Sequence, residues 1–161
     1  KVVICGARDE IVLVSAGGQA IRFRESDVRS MGRGAAGVKA IRLKSQDRIV
    51  GVNIISSAAK NSEAELLVIM ENGFGKKTTV KEYKRQKRGG AGIKTAKITF
   101  KNGAVISTHL IKEETELIAI SQKGQVIRTM LKDVPTLGRA TQGVRIMRLD
   151  DGDKIASVTI L

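Results

Sequence analysis

Apolar residues along this chain fall in short runs rather than at helical spacing. IVLV (Ile11–Val14), LLVI (Leu66–Ile69) and LIAI (Leu117–Ile120) are apolar at every position, the pattern of a short strand buried on both faces. Each run leads into a turn containing GG, NG or KG, where glycine supplies the positive φ that tight hairpins need. A second strand follows (AIRF, GKKT, VIRT), with a cation in its middle. After a longer connection come a third strand (VKAIRL, IKTAKITF, VRIMRL) and a fourth (RIVGVNII, AVISTHLI, KIASVTIL). Helical signals are weak. NSEAELLVIM has an amphipathic spacing, but its alignment with the other runs makes Glu65–Met70 a strand.

The pattern is a repeat. Glu10–Val38, Glu65–Ile93 and Glu116–Val144 superpose without a gap, beginning 55 and then 51 residues apart. They share the columns Gly18/Gly73/Gly124, Arg22/Lys77/Arg128, Val28/Tyr83/Val134, Arg33/Arg88/Arg139 and Gly37/Gly92/Gly143. Four strands every 50 residues or so mark a bladed, propeller-like, all-β architecture. The expected units are 10–55, 65–111 and 116–161 within one domain, with Lys1–Cys5 (KVVIC) the closing strand of a preceding unit. Such rings close with roughly 4 to 8 units, so three units are expected to form an arc or part of a ring. The lack of an initiating Met points to a segment of something longer.

Charge narrows the partners. Lys plus Arg number 29 against 16 Asp plus Glu, a formal net charge of +13, which favours a polyanion over an anionic membrane surface or an acidic protein. Aromatics are only 2%, which argues against recognition by stacking bases on rings. Cys5 is the only cysteine, no stretch is long and apolar enough for a signal peptide or a membrane span, and a cytoplasmic protein is the default.

The cations concentrate in one loop. Between Lys76 and Lys94 stand Lys76, Lys77, Lys81, Lys84, Arg85, Lys87, Arg88 and Lys94, opposed by Glu82 alone. The loop runs into Gly89-Gly90, a side-chain-poor backbone whose N–H groups can approach phosphate while flanking Lys and Arg neutralise it. The last glycine of each copy, Gly37, Gly92 or Gly143, reads as a backbone position needing positive φ or close approach.

QKRGGAG, at Gln86–Gly92 after Tyr83 and inside a repeat of this period, resembles the gyrase-A box found in the C-terminal domain of bacterial DNA gyrase A. The family pattern is Gln-Arg-Arg-Gly-Gly-Lys-Gly. Gln86, Arg88, Gly89, Gly90 and Gly92 match it, Lys87 keeps the charge of the second position, and Ala91 departs from it. SMGRGAAG and TLGRATQG resemble degenerate boxes of other blades. The related C-terminal domain of topoisomerase IV shares the blades but usually has a degraded box.

The resemblance implies a β-pinwheel, a propeller-like disc whose neighbouring blades exchange strands. It also implies a domain that wraps double-stranded DNA on a basic rim without reading its sequence. The family usually carries its box in the first of six blades, whereas here a boxless blade precedes it. The site residues implied are Lys84, Arg85, Gln86, Lys87, Arg88, Gly89, Gly90, Gly92 and Lys94 of the middle loop. With them go Lys76, Lys77, Arg22, Arg24 and Arg128 on the second strands, and Arg33 and Arg139 in the equivalent loops. The domain itself is expected to be monomeric and non-catalytic and to hold no cofactor. ATP and Mg belong elsewhere in the parent topoisomerase, DNA gyrase. The rest of gyrase A and gyrase B are the expected protein partners, in the bacterial cytoplasm at the nucleoid. The alternatives are the C-terminal domain of the topoisomerase IV A subunit, which the resemblance would give a role in DNA substrate selection, and a propeller-type scaffold for an acidic protein.

Nothing assembles a catalytic centre. His109 stands alone on an expected strand and reads as a sheet-face histidine. Tyr83, the only tyrosine, aligns with Val28 and Val134 and reads as a packing anchor. Asp150, Asp151 and Asp153 in LDDGDK align with LKSQDR of the first copy and read as a turn.

Overall fold

The structure, a computed structural model, describes residues 2–57 and 64–161. The strands in chain order are β1 (Glu10–Ser15), β2 (Gln19–Arg24), β3 (Ile49–Ile55), β4 (Glu65–Met70), β5 (Phe74–Thr79), β6 (Ile93–Lys94), β7 (Val105–Ile111), β8 (Glu116–Ser121), β9 (Val126–Met130), β10 (Val144–Arg145) and β11 (Ile155–Ile160). They form three antiparallel sheets with the orders β3-β1-β2-β6, β10-β5-β4-β7 and β11-β8-β9.

The sheet orders reveal an exchange. β6 belongs to the second repeat but pairs with β2 of the first, Gln19 opposite Lys94 and Ala20 opposite Ile93. β10 belongs to the third repeat and pairs with β5 of the second, Val144 opposite Gly75 and Arg145 opposite Phe74. The second and third units thus each lend their third segment to the unit before, as the pinwheel resemblance implies.

The third strands are shorter than the apolar runs suggest. Only two residues pair in the second and third copies, and 38–43 forms no strand. The reason is partnership, because an extended segment is a strand only where another backbone bonds it. No described unit precedes the first. The same reasoning applies to the expected closing strand at Lys1–Cys5. Val2–Cys5 pairs with nothing among the described residues, and Val2 and Ile4 lie exposed; Lys1 lies outside the described residues.

Packing explains the apolar first strands. Along β4, Leu66, Val68 and Met70 point into a cluster shared with Val12, Val14, Ile55 and Tyr83 of the first seam. Leu67 and Ile69 point the other way, into a cluster with Leu117, Ala119, Leu131, Val134 and Met147. A strand flanked by a unit on each side has two buried faces, so its alternation disappears. β8 corrects this expectation for the third copy. Leu117 and Ala119 are buried, but Ile120 is 40% exposed because no described unit covers that face. Tyr83 is the anchor expected, 2% exposed with its hydroxyl 2.6 Å from Thr95 Oγ1.

The closing strands β3 and β7 pack together on one side. Asn53 Nδ2 donates to Thr108 Oγ1 at 2.8 Å, and Leu110 N–H donates to Asn53 Oδ1 at 3.1 Å. The exchanged segments therefore occupy the opposite, outer edge of the first two sheets.

That edge depends on one glycine column. Gly92 and Gly143 have φ of 73° and 76°. A Cβ there would stand 2.5 Å from Ala20 O and 2.7 Å from Gly75 O, backbone atoms of the preceding unit. Gly37 has φ of 84° with nothing within 4 Å. Gly37→Ala should lose only the roughly 1–2 kcal/mol of a left-handed residue. Gly92→Ala adds a backbone clash and should lower the thermal midpoint by clearly more, as differential scanning calorimetry of the two variants will show.

Candidate nucleic-acid interface

The middle loop lies along β2. Gln86 N–H donates to Arg22 O at 2.7 Å, and Arg22 and Arg85 form a parallel bridge. The loop's cations meet a neighbouring strand, as their sequence positions suggest, yet they divide into two kinds.

The first kind is held by partners within the chain. Glu10, 7% exposed, pairs with Arg22 and also holds Arg85, whose Nε lies 2.6 Å from Glu10 Oε1. Arg22 Nη1 donates on to Val80 O at 2.9 Å and Tyr83 O at 3.2 Å. Equivalent pairs recur as Lys77–Glu65 at 3.0 Å and Arg128–Glu116 at 2.6 Å. Arg22, Lys77 and Arg128 thus partner the glutamate that opens each first strand.

The arginine column is likewise a clip. Arg88 donates to Asp27 O at 2.7 Å and Lys39 O at 3.2 Å, and Arg139 donates to Lys94 O at 2.9 Å. Lys39 and Lys94 are equivalent, so each arginine grips the third segment of the unit before it. The box glycines serve the same clip, with Gly89 N–H donating to Ala40 O at 2.6 Å and Gly90 O accepting from Arg42 N–H at 2.8 Å. The Gly89 N–H, read in the sequence as a phosphate donor, is spent on the chain itself.

Lys76 is the clearest correction. It stands where the other copies have Ile21 and Ile127, and its residue is 0% exposed. Its ammonium donates to Gly138 O at 2.7 Å, Arg139 O at 2.6 Å and Thr141 Oγ1 at 3.1 Å. An ammonium with three donors satisfied inside has none to offer a ligand. Burial is the main cause that brings Lys76 down to about 8, the Arg139 charge adding to it and Glu82 opposing it.

The second kind faces solvent. Lys84, Lys87, Lys94, Arg24 and Arg33 are exposed, and their charged groups have no ion pair among the described residues. Sequence reasoning missed most of the cations on the outer edge. Extending the repeat alignment a few positions beyond Val38, Ile93 and Val144 gives two further columns, Lys39/Lys94/Arg145 and Arg42/Lys97/Arg148. All six residues are exposed; Lys94 and Arg145 lie on the exchanged strands β6 and β10, Lys97 and Arg148 follow them, and Lys39 and Arg42 lie in the equivalent segment of the first unit, held against the Gly89–Gly90 backbone. Arg145 also sits over the Phe74 ring, 5.5 Å from its centroid. The signal was in the sequence, just past the end of the gap-free window.

The remaining candidates have structural places. His109 lies on β7 with Nε2 2.8 Å from Ser107 Oγ. Asp153 N–H donates to Asp150 O at 3.0 Å, the turn expected there.

A family model described as DNA gyrase C-terminal domain, beta-propeller, matches residues 9–56, 64–111 and 115–161. The chain belongs to this family. The DNA gyrase A protein of Staphylococcus epidermidis is 43% identical over 150 residues, 93% of this chain and 16% of that protein. Its counterpart in Mycolicibacterium smegmatis is 39% identical over 97% of this chain and 18% of its own length. The chain thus spans less than a fifth of these gyrase relatives. A solved DNA gyrase A C-terminal domain superposes with a TM-score of 0.83 at 29% identity, covering 95% of this chain and 50% of that one. The C-terminal domain of DNA topoisomerase IV matches with a TM-score of 0.85 at 24% identity, covering 96% and 47%, a likeness of fold.

The paired cations can be tested by removing their partners. Glu10→Gln strands Arg22 and Arg85 and should cost about 3–5 kcal/mol in chemical denaturation, as for a buried pair losing one partner. Glu116→Gln releases Arg128, whose side chain is 69% exposed, and should cost at most about 1 kcal/mol. Between Lys76's folded value of about 8 and its ordinary 10.5, the unfolded chain binds a proton that the folded chain does not. This group therefore makes stability rise with pH through that window, and Lys76→Met should remove the rise in thermal midpoints measured across it.

Proposed function

We propose that this gyrase-family domain binds duplex DNA along its outer edge and bends it, without reading base sequence. The observation that carries this reading is the pair of exposed columns, Lys39/Lys94/Arg145 and Arg42/Lys97/Arg148. Each unit presents two cations at the same positions of its third segment, and in the second and third units that segment is seated on the sheet before it. The spacing between them is set by the packing of whole sheets, not by flexible loops. Phosphate contacts of this kind position a duplex and carry no sequence information.

Lys84 and Lys87 extend the positive track beside the first seam. The gyrase-A box plays two parts in this reading. Arg88, Gly89 and Gly90 fix residues 39–42, and Lys84 and Lys87 add outward charge. Smooth bending of a 20–30 bp segment costs about 1–6 kcal/mol, which several repeated contacts must offset. In the parent enzyme the bent duplex supplies the wrap that ATP-dependent strand passage turns into negative supercoils.

The test is the salt dependence of binding to a mixed-sequence linear duplex. Lys97→Ala and Lys94→Ala should each reduce the slope of log K against log salt by about one. Arg24→Ala should do the same if the track reaches the end of β2. Arg22→Ala should lower stability but leave the slope near its original value. Unchanged slopes for Lys94 and Lys97, or capture of an acidic protein with no duplex binding at low salt, would favour the scaffold reading.

A further inference from the structure

The turn before the fourth strand differs in the middle unit. Between the Arg42/Lys97/Arg148 column and the residue opposite Ser15, Met70 or Ser121 stand residues 43–48 and 149–154 in the outer units, but 98–104 in the middle one. The middle turn is one residue longer. Its equivalents close with Asp47 N–H donating to Lys44 O at 3.2 Å and Asp153 N–H to Asp150 O at 3.0 Å. Gly103 N–H instead reaches back one residue further, to Thr99 O at 2.9 Å. The longer turn carries Phe100, which is 104% exposed, whereas Phe23 and Phe74, the other phenylalanines, are 1% and 6% exposed.

This turn is held firmly. Asn102, 0% exposed, accepts from Thr99 N–H at 2.7 Å and donates to Lys97 O at 2.8 Å and Gln142 O at 3.2 Å. Asn72 Nδ2 donates to Phe100 O at 3.0 Å, and Lys97 N–H donates to Thr141 O at 3.0 Å. A backbone tied at both ends keeps the ring in water, without the burial that stabilises such a side chain elsewhere in the protein.

The ring's surroundings are cationic. Lys97 precedes it and Lys101 follows it. Lys101 and Arg145 both lie over the Phe74 ring, 5.7 and 5.5 Å from its centroid. A cation from the second unit's turn thus meets one from the third unit's exchanged strand. Thr141 and Gln142 lead into that strand, so the turn stands beside the second seam, between the Lys94/Lys97 and Arg145/Arg148 pairs of the proposed track. Glu71, the carboxylate lining the hollow beside Phe100, is neutralised by Lys154 at 3.1 Å. A duplex offers what this arrangement lacks, phosphates for the cations and a stack of bases for the ring.

We propose that Phe100 is a wedge that enters the base stack of the bound duplex and concentrates its bend at one step. This rests on the duplex-binding reading above and adds a kink to it. Apolar side chains inserted between base steps partly unstack them and bend the helix. One ring suffices for that, unlike the ring-lined surfaces on which successive bases stack. Pyrimidine–purine steps unstack most easily, so the wedge settles at a TA step because that step deforms, with no contact that reads its bases.

Permanganate, which oxidises thymines that have lost their stacking, tests the wedge on a G·C-rich duplex with a single central TA step. Adding the full chain at low salt should raise the reactivity of those thymines several-fold. Phe100→Ala should return them to the level of free DNA and leave the slope of log K against log salt unchanged, since the ring carries no charge. Phe100→Leu, still an apolar wedge, should keep much of the rise. Duplex binding with thymines as unreactive as in free DNA would overturn the wedge and leave the cation track standing. A rise that survives in Phe100→Ala would also overturn it, and would assign the exposed ring to a protein partner. Failure to bind duplex at all would instead remove the duplex-binding reading, and the wedge with it.

Discussion

A sheet edge carries a row of N–H and C=O groups that must find partners. In this protein that requirement ties one repeat to the next. β2 and β5 would be edges if each unit kept its own strands, and instead each receives two residues from the unit that follows. The rest of the architecture follows from this loan. The connection leading into the borrowed strand must cross the seam, so it needs a positive-φ glycine to pass close to the preceding backbone and an arginine to hold the segment beyond. Those are Gly92 with Arg88 and Gly143 with Arg139.

The same constraint sorts the charges. Cations facing the seam are neutralised at once, by Glu10 and Glu65 or by carbonyls, because a charge removed from water must be paired. Cations on the outer side of the exchanged segment have no such demand and remain in solvent. The chain's large positive excess is therefore not spread evenly. One part fastens the sheets together, and the other lies along their outer edge. Lys76 shows how far the first role can go, a lysine in an isoleucine position whose ammonium ends on the backbone of the next unit's arginine loop.

Much of the fold was legible in the sequence because repetition turns single weak signals into columns. The apolar runs located β1, β4 and β8, the turn glycines located the hairpins, and the alignment kept Glu65–Met70 from being read as helix. The lengths of the third strands were not legible, since their pairing depends on a neighbour and not on their own composition. The site was legible in outline and misread in detail. A column of Arg or Lys looks the same in sequence whether its partner is a ligand or a glutamate twelve residues earlier, as for Arg22 and Glu10. Lys39, Arg42, Lys97, Arg145 and Arg148 escaped notice because they follow the motif instead of lying in it.

The central claim is that a rigid, curved edge of repeated cations holds a bent duplex. Energy transfer between dyes on the two ends of a linear duplex, of a length on the order of the 20–30 bp over which bending is costly, reads that bend directly. On adding the protein at low salt, the ends should draw together, and replacing Lys39, Lys94 and Arg145 with alanine should abolish the approach in a protein that remains folded. Binding of the unsubstituted protein with no change in end-to-end distance would contradict the account.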